Sequence, residues 1–255
     1  MRFFLLLLTI TLFSLPACRS KIKQQEDSVY SRHLQRHVGL TIITTPMPKD
    51  KEEMNLLLFN GGKDMLGAVR AKKIIDSLYK KELIQPLTLV AFDANEKDYG
   101  LQGTGSDESN QHQKLNDFVT DELYPFTKKR VVIRKFNSVA FCGFGRSALS
   151  AFDIAWNNDE KIQKAGMFYP NFRESAQMND SLVIETIRAS RKRPNLGIWL
   201  TDEANDPADL MFKEVIAGKK SVTDFKVMDD PTLSNSKAVP QVNNFADFLV
   251  WAFPK

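Results

Sequence analysis

The residues whose types and spacing could do chemistry are Gly143-Phe144-Gly145-Arg146-Ser147. They follow the apolar run Val139-Ala140-Phe141-Cys142 and precede Ala148-Leu149-Ser150-Ala151-Phe152. The stretch from Ser138 to Phe152 therefore predicts a buried strand, a tight turn of small residues and a helix. A G-x-S-x-G turn of this form presents a serine hydroxyl for attack on an acyl carbonyl. Here the central position holds Gly145, which has no side chain. Ser147 lies two residues further on, inside the helix, where a hydroxyl tends to bond local backbone. Cys142 ends the strand and is expected as a small buried apolar residue rather than a thiolate.

Any serine or cysteine nucleophile needs a neighbouring general base, normally histidine. The chain has three histidines, His33, His37 and His112. The first two precede the sheet or open its edge strand and are expected at the surface. His112 falls in the polar segment Asp93 to Gln113, expected as a long loop that could face a pocket. Asp202, in Thr201-Asp202-Glu203 after an apolar strand, reads by itself as a loop carboxylate or a helix-start residue. Asn60-Gly61-Gly62 follows another apolar run. Backbone N–H groups of Gly61, Gly62 and Arg146 could together hold a carbonyl oxygen or an anion; a plain glycine turn explains the same residues. There is no H-E-x-x-H, no cysteine pair and no P-loop. Asp93, Asp98, Asp229 and Asp230 could gather around calcium, but no spacing demands it, so neither metal nor cofactor is expected.

These residues need elements to position them. His37 to Thr45 is β-branched and predicts an early strand. Leu56 to Phe59, Leu87 to Phe92, Gly166 to Tyr169, Leu196 to Leu200 and Val222 to Met228 predict further strands. Helical spacing covers Gly67 to Leu83, then Leu115, Phe118, Val119, Leu123 and Phe126, then Leu182 to Ser190. Asp206-Pro207 starts another helix, and Val242, Phe245, Ala246, Leu249, Val250 and Phe253 mark the last. Such alternation implies an α/β fold, a mainly parallel sheet with helices on both faces. One domain over residues 35–255 is expected.

The N-terminus predicts an address rather than a fold. Arg2 precedes an uncharged run from Phe3 to Leu15, then Pro16-Ala17-Cys18, as in a secretory signal. Leu15-Pro16-Ala17-Cys18 resembles a bacterial lipobox, so residues 1–17 are expected as a signal peptide and Cys18 as a lipidated first residue. Residues 18–34 are expected as a polar tether. The other reading of the start is an uncleaved anchor helix. With Cys18 lipidated, Cys142 has no disulfide partner. The 35 basic and 31 acidic residues are mixed along the chain, with a balance of +4, which gives no footprint for nucleic acid.

The order of these features resembles the esterase family that includes enterochelin esterases and esterase D-like α/β-hydrolases, from about residue 38 to 253. The best match is Asn116-Asp117-Phe118-Val119-Thr120-Asp121-Glu122-Leu123-Tyr124-Pro125-Phe126, which looks like the family helix that precedes the elbow strand. Phe92-Asp93 with Asp98-Tyr99 looks like its substrate loop. The resemblance implies an α/β-hydrolase fold with a Gly-Phe-Ser-Met-Gly-Gly elbow. The serine then falls on Gly145 and the two following glycines on Ser147 and Ala148. It implies the acid at Asp202, half of an oxyanion hole at Asn60-Gly61-Gly62, and a histidine after the last strand, where Asp229 to Pro240 contains none. The expectation is a lipid-anchored, extracytoplasmic protein of the bacterial cell envelope that lacks catalytic serine and histidine. It would act as a binding or scaffold protein. Its partners would be the membrane through Cys18, a small molecule in the remnant pocket, or an envelope protein. The alternative is an active carboxylic-ester hydrolase that uses Ser147 and His112.

Overall fold

Continuous apolar runs become strands buried on both faces, because helices cover each side of the sheet they build. The computed structural model describes residues 21–47, 53–95, 98, 106–170, 172, 181–203, 207–219, 222–230 and 242–255. Among the described residues, eight strands lie in the order β1-β2-β4-β3-β5-β6-β7-β8. The parallel strands are β3 (Glu53–Asn60), β4 (Leu87–Phe92), β5 (Lys135–Phe144), β6 (Lys164–Phe168), β7 (Leu196–Glu203) and β8 (Val222–Asp230). At one edge β1 (Lys23–Ser31) and β2 (Arg36–Thr44) form an antiparallel hairpin, and β2 runs antiparallel to β4.

Alternation along each strand separates two cores. Leu56, Leu58, Val139 and Phe141 face one side, which packs against α3 (Ser106–Asp117), α5 (Arg146–Asn157), α6 (Ser181–Ala189) and α7 (Pro207–Ala217). Leu57, Phe59, Ala140 and Cys142 face the other, which packs against α1 (Gly62–Ala68), α2 (Ala71–Lys80) and α8 (Val242–Ala252). Leu115 of α3 and Phe118, Val119 and Leu123 of the π-helical segment Phe118–Leu123 are buried, and that segment runs on into α4 (Tyr124–Val131). The α/β-hydrolase fold expected from the sequence is the fold observed.

Three expectations change. The tether is the first: Lys23–Ser31, inside the polar stretch, is a strand with every residue paired to β2. An edge strand has one partner and little buried surface, so its sequence can stay polar. Second, the helix expected over Gly67 to Leu83 is two helices, divided at Arg70, whose φ of 53° is left-handed. Third, the long loop after Asp93 contains α3, which begins at Ser106 and carries His112. The expected signal peptide and Cys18 lie outside the described residues.

Candidate active site

The turn between β5 and α5 is built by glycine. Gly145 takes φ 58° and ψ −125°, a conformation that costs a residue with a side chain on the order of 1–3 kcal/mol. Its N–H donates to the carbonyl of Phe168 (3.0 Å) and its carbonyl accepts from Ala148 N–H (3.1 Å). Among the described residues, a Cβ placed on Gly145 would meet no atom within 4 Å beyond its own chain neighbours. The turn thus has the backbone of a nucleophile elbow and room for a side chain, without the reacting atom. Gly143 serves packing instead: a Cβ there would lie 2.4 Å from the Ser147 carbonyl oxygen. Phe144 fixes the strand end by stacking on Phe168, with centroids 4.5 Å apart.

Ser147 is buried, 6% exposed. Its Oγ accepts from Phe144 N–H (2.9 Å) and lies 2.8 Å from the Asn60 carbonyl and 2.9 Å from the Phe144 carbonyl. A hydroxyl has one proton, so it donates to one of these two at a time. The side chain ties the end of β3 to the elbow, which is the helix-start role, and none of these partners is a base.

His112 sits on α3 with its Nε2 3.1 Å from Asp153 Oδ2. Both residues are buried. Asp153 is six residues along α5 from Ser147, about 9 Å up the helix axis. Among the described residues no histidine meets Ser147, so the fold does not bring the alternative pair together. Sequence reasoning missed Asp153. Its signal was a lone carboxylate in the otherwise apolar run Ala151-Phe152-Asp153-Ile154-Ala155. His33, in the β1–β2 turn, has Nδ1 3.9 Å from Asp117. His37 lies on β2, its ring edge-on to Tyr30. Strands β4 and β3 stand between β2 and β5.

Asp202, expected after the strand, lies within β7, one residue from its end, with its backbone in register with Asp229 of β8. The segment after β8, where the resemblance puts a base, lies outside the described residues, and its sequence holds no histidine. Near the same end, Tyr169 has a left-handed φ of 48°. Its hydroxyl accepts from the Asn244 side chain of α8 at 2.9 Å. Thus an amide, neutral and non-basic, approaches from the helix that follows that segment.

The expected oxyanion turn is present as backbone. Asn60 and Gly143 are in register, so α1 and α5 both begin beside the ends of adjacent strands. Their positive helix ends therefore lie close together. Gly62 has φ 62°, and a Cβ on it would fall 1.7 Å from Asp93 Oδ1. The Asp93 carboxylate already lies against this turn, which disfavours a second negative charge there. The Asn60 side chain is fully buried and both its polar atoms lack partners among the described residues. Cys142 is fully buried, and burial pushes its thiol well above the usual range, so it supplies no thiolate. Asp98 accepts from Arg36 (2.5 Å) and from Asn95 N–H (2.8 Å). Those bonds give it a structural partner set. Among the described residues no group of three potential metal ligands gathers.

Solved structures of other proteins share the fold. A siderophore hydrolase, EstB, from Aspergillus nidulans superposes with a TM-score of 0.73 at 9% identity, covering 94% of this chain and 97% of that one. An enterochelin esterase from Shigella flexneri gives 0.68 at 15% identity, covering 90% of this chain. The chain spans 57% of that enzyme's length. An IroE-like serine hydrolase from Shewanella oneidensis gives 0.68 at 14% identity, covering 90% of this chain and 78% of that one. At these identities the likeness shows the fold. No curated protein sequence matches the chain. The family model described as "Putative esterase" matches residues 31–232, most of the described domain. The chain belongs to the putative esterase family.

Proposed function

We infer that this protein is a lipid-anchored, extracytoplasmic member of its family that binds a ligand or an envelope partner and does not hydrolyse esters. The observation that carries the reading is Gly145. It occupies the strained elbow position, and among the described residues nothing fills the space where a nucleophile's Cβ would stand. The engaged hydroxyl of Ser147 supports it, as does the histidine-free sequence from Asp229 to Pro240. Triad members act as a unit, so loss of two removes most of the rate.

The sheet register supports an orientation for the anchor. Lys23 is in register with Thr44, and Thr44 with Thr88 near the start of β4. The chain therefore enters the domain at the end of the sheet opposite to the elbow, and a tether from Cys18 would leave the elbow end facing away from its attachment. The remnant pocket would then be open to a soluble small molecule or to a protein on the same side of the membrane.

The test uses the full chain in detergent with short activated esters. Hydrolysis at the buffer rate is expected. Turnover that disappears in Ser147→Ala would overturn the reading. That outcome belongs to the second reading, an active hydrolase with Ser147 and His112, against which the pairing of His112 with Asp153 rather than Ser147 counts. Anchoring is tested separately: Cys18→Ala should move the protein from the membrane fraction to the soluble one, and unchanged retention would refute lipidation there.

A further inference from the structure

A cavity of about 850 Å³ lies on the flank of the domain, between the β1–β2 hairpin and helices α1 and α2. Ile22, Ile43 and Leu66 line its apolar part. Around them stand six cations, Lys21, Lys63, Arg70, Lys72, Lys73 and Lys80, against the carboxylates of Asp64 and Asp76. Two of the cations are already matched, Lys63 by Glu26 at 3.8 Å and Lys80 by Asp76 at 2.6 Å. Lys21, Arg70, Lys72 and Lys73 are exposed and have no ion pair among the described residues. Four unmatched positive charges thus share one cavity, in a protein whose charges are otherwise mixed.

The helix beside them sharpens the point. The N-terminus of α2 has no side-chain cap and no acidic residue in its first turn. Lys72 and Lys73 occupy positions where the helix dipole favours Asp or Glu. Cations at that end oppose the dipole, so the isolated domain holds a local electrostatic conflict that an anion in the cavity would relieve. Position says where such anions are. Two residues separate Cys18 from Lys21, a span of three peptide links that reaches at most about 11 Å. A lipidated Cys18 would hold the mouth of this cavity at the headgroup layer.

We propose that this cavity is a docking site for the phosphate-bearing headgroups of anionic phospholipids in the membrane that carries the Cys18 lipid. It rests on the lipid-anchor reading above. Each basic residue near an anionic leaflet adds to attraction that decays within a Debye length. The apolar Ile22, Ile43 and Leu66 give acyl or glycerol carbons a surface next to the cations. Docked in this way, the α1–α2 flank meets the membrane.

The experiment takes the full lipidated chain on vesicles of phosphatidylcholine alone, or of phosphatidylcholine mixed equally with phosphatidylglycerol. Flotation on the neutral vesicles reads the anchor, and amide hydrogen exchange over residues 62–80 reads the cavity. Exchange roughly tenfold slower on the anionic vesicles is expected. The protection should vanish at high salt and in the combined Lys21→Gln, Arg70→Gln, Lys72→Gln, Lys73→Gln variant, which changes exposed side chains only. Flotation on both vesicles with equal exchange overturns the headgroup site and leaves the anchor standing. Flotation on the anionic vesicles alone overturns the anchor and leaves the headgroup site standing, and flotation on neither overturns both. Soluble glycerol phosphate that slows exchange equally on neutral vesicles would make this a site for free anions and overturn the lipid source.

Discussion

Two places along α5 hold, apart from one another, the backbone of an elbow and a buried carboxylate–imidazole pair. At its start, Gly145 has the strained backbone of a nucleophile elbow and Ser147 a hydroxyl spent on local backbone. Two turns later, Asp153 holds His112, a carboxylate–imidazole pair of the kind that serves a nucleophile elsewhere. The backbone and the titratable groups have parted company: the first place has shape without chemistry, the second has chemistry without a reacting atom. The difference teaches that an elbow is kept by packing as well as by catalysis. Gly143 permits contact with the Ser147 backbone, Phe144 stacks on Phe168, and Ser147 joins β3 to β5. None of these contacts requires a serine at position 145.

That comparison can be broken at four positions. Gly143→Ala has the largest expected effect, because the new Cβ would press on helix backbone, which cannot move away as a side chain can. A loss of about 3 kcal/mol is expected, read from the urea midpoint; a loss near zero would mean the elbow is not held by packing. Asp153→Ala should cost about 2 kcal/mol by leaving buried His112 without its carboxylate. Asp153→Asn should restore part of it if the pair is structural. Ser147→Ala should cost about 1.5 kcal/mol, since Phe144 N–H loses its buried acceptor, with ester hydrolysis unchanged at the buffer rate. Gly145→Ser has the smallest effect on stability, about 1 kcal/mol from backbone strain alone, because among the described residues nothing fills the space beside Gly145. It should gain no turnover. Hydrolysis appearing in that variant would show that a base reaches the elbow, and the separation of the two places would fail.

Much of the architecture was legible because burial on both faces leaves continuous apolar runs, as in Leu56 to Phe59 and Leu87 to Phe92. The missing side chain at Gly145 was legible too, since the strand–turn–helix pattern locates the position without any tertiary information. β1 was not legible. Its residues are largely exposed and polar, and only pairing with β2 makes them a strand. Helix α3 was hidden for a related reason: Ser106 to Gln113 has almost no apolar residue, and a polar glycine-bearing stretch gives no helical period to read. The break at Arg70 left no trace, because arginine is an ordinary helix residue and nothing in the local sequence announces its left-handed φ.

By itself, the sequence determined which groups exist: no serine at the elbow, no histidine after the last strand, and a lipobox-like cysteine ahead of the domain. Those are matters of covalent inventory, and no packing can supply an atom that is not encoded. Only the tertiary structure decided which groups meet. His112 reached Asp153 rather than Ser147, Ser147 gave its proton to backbone, and cations scattered between Lys21 and Lys80 came to rim one cavity. Such meetings join residues far apart in the chain, and they follow from how helices dock on the sheet.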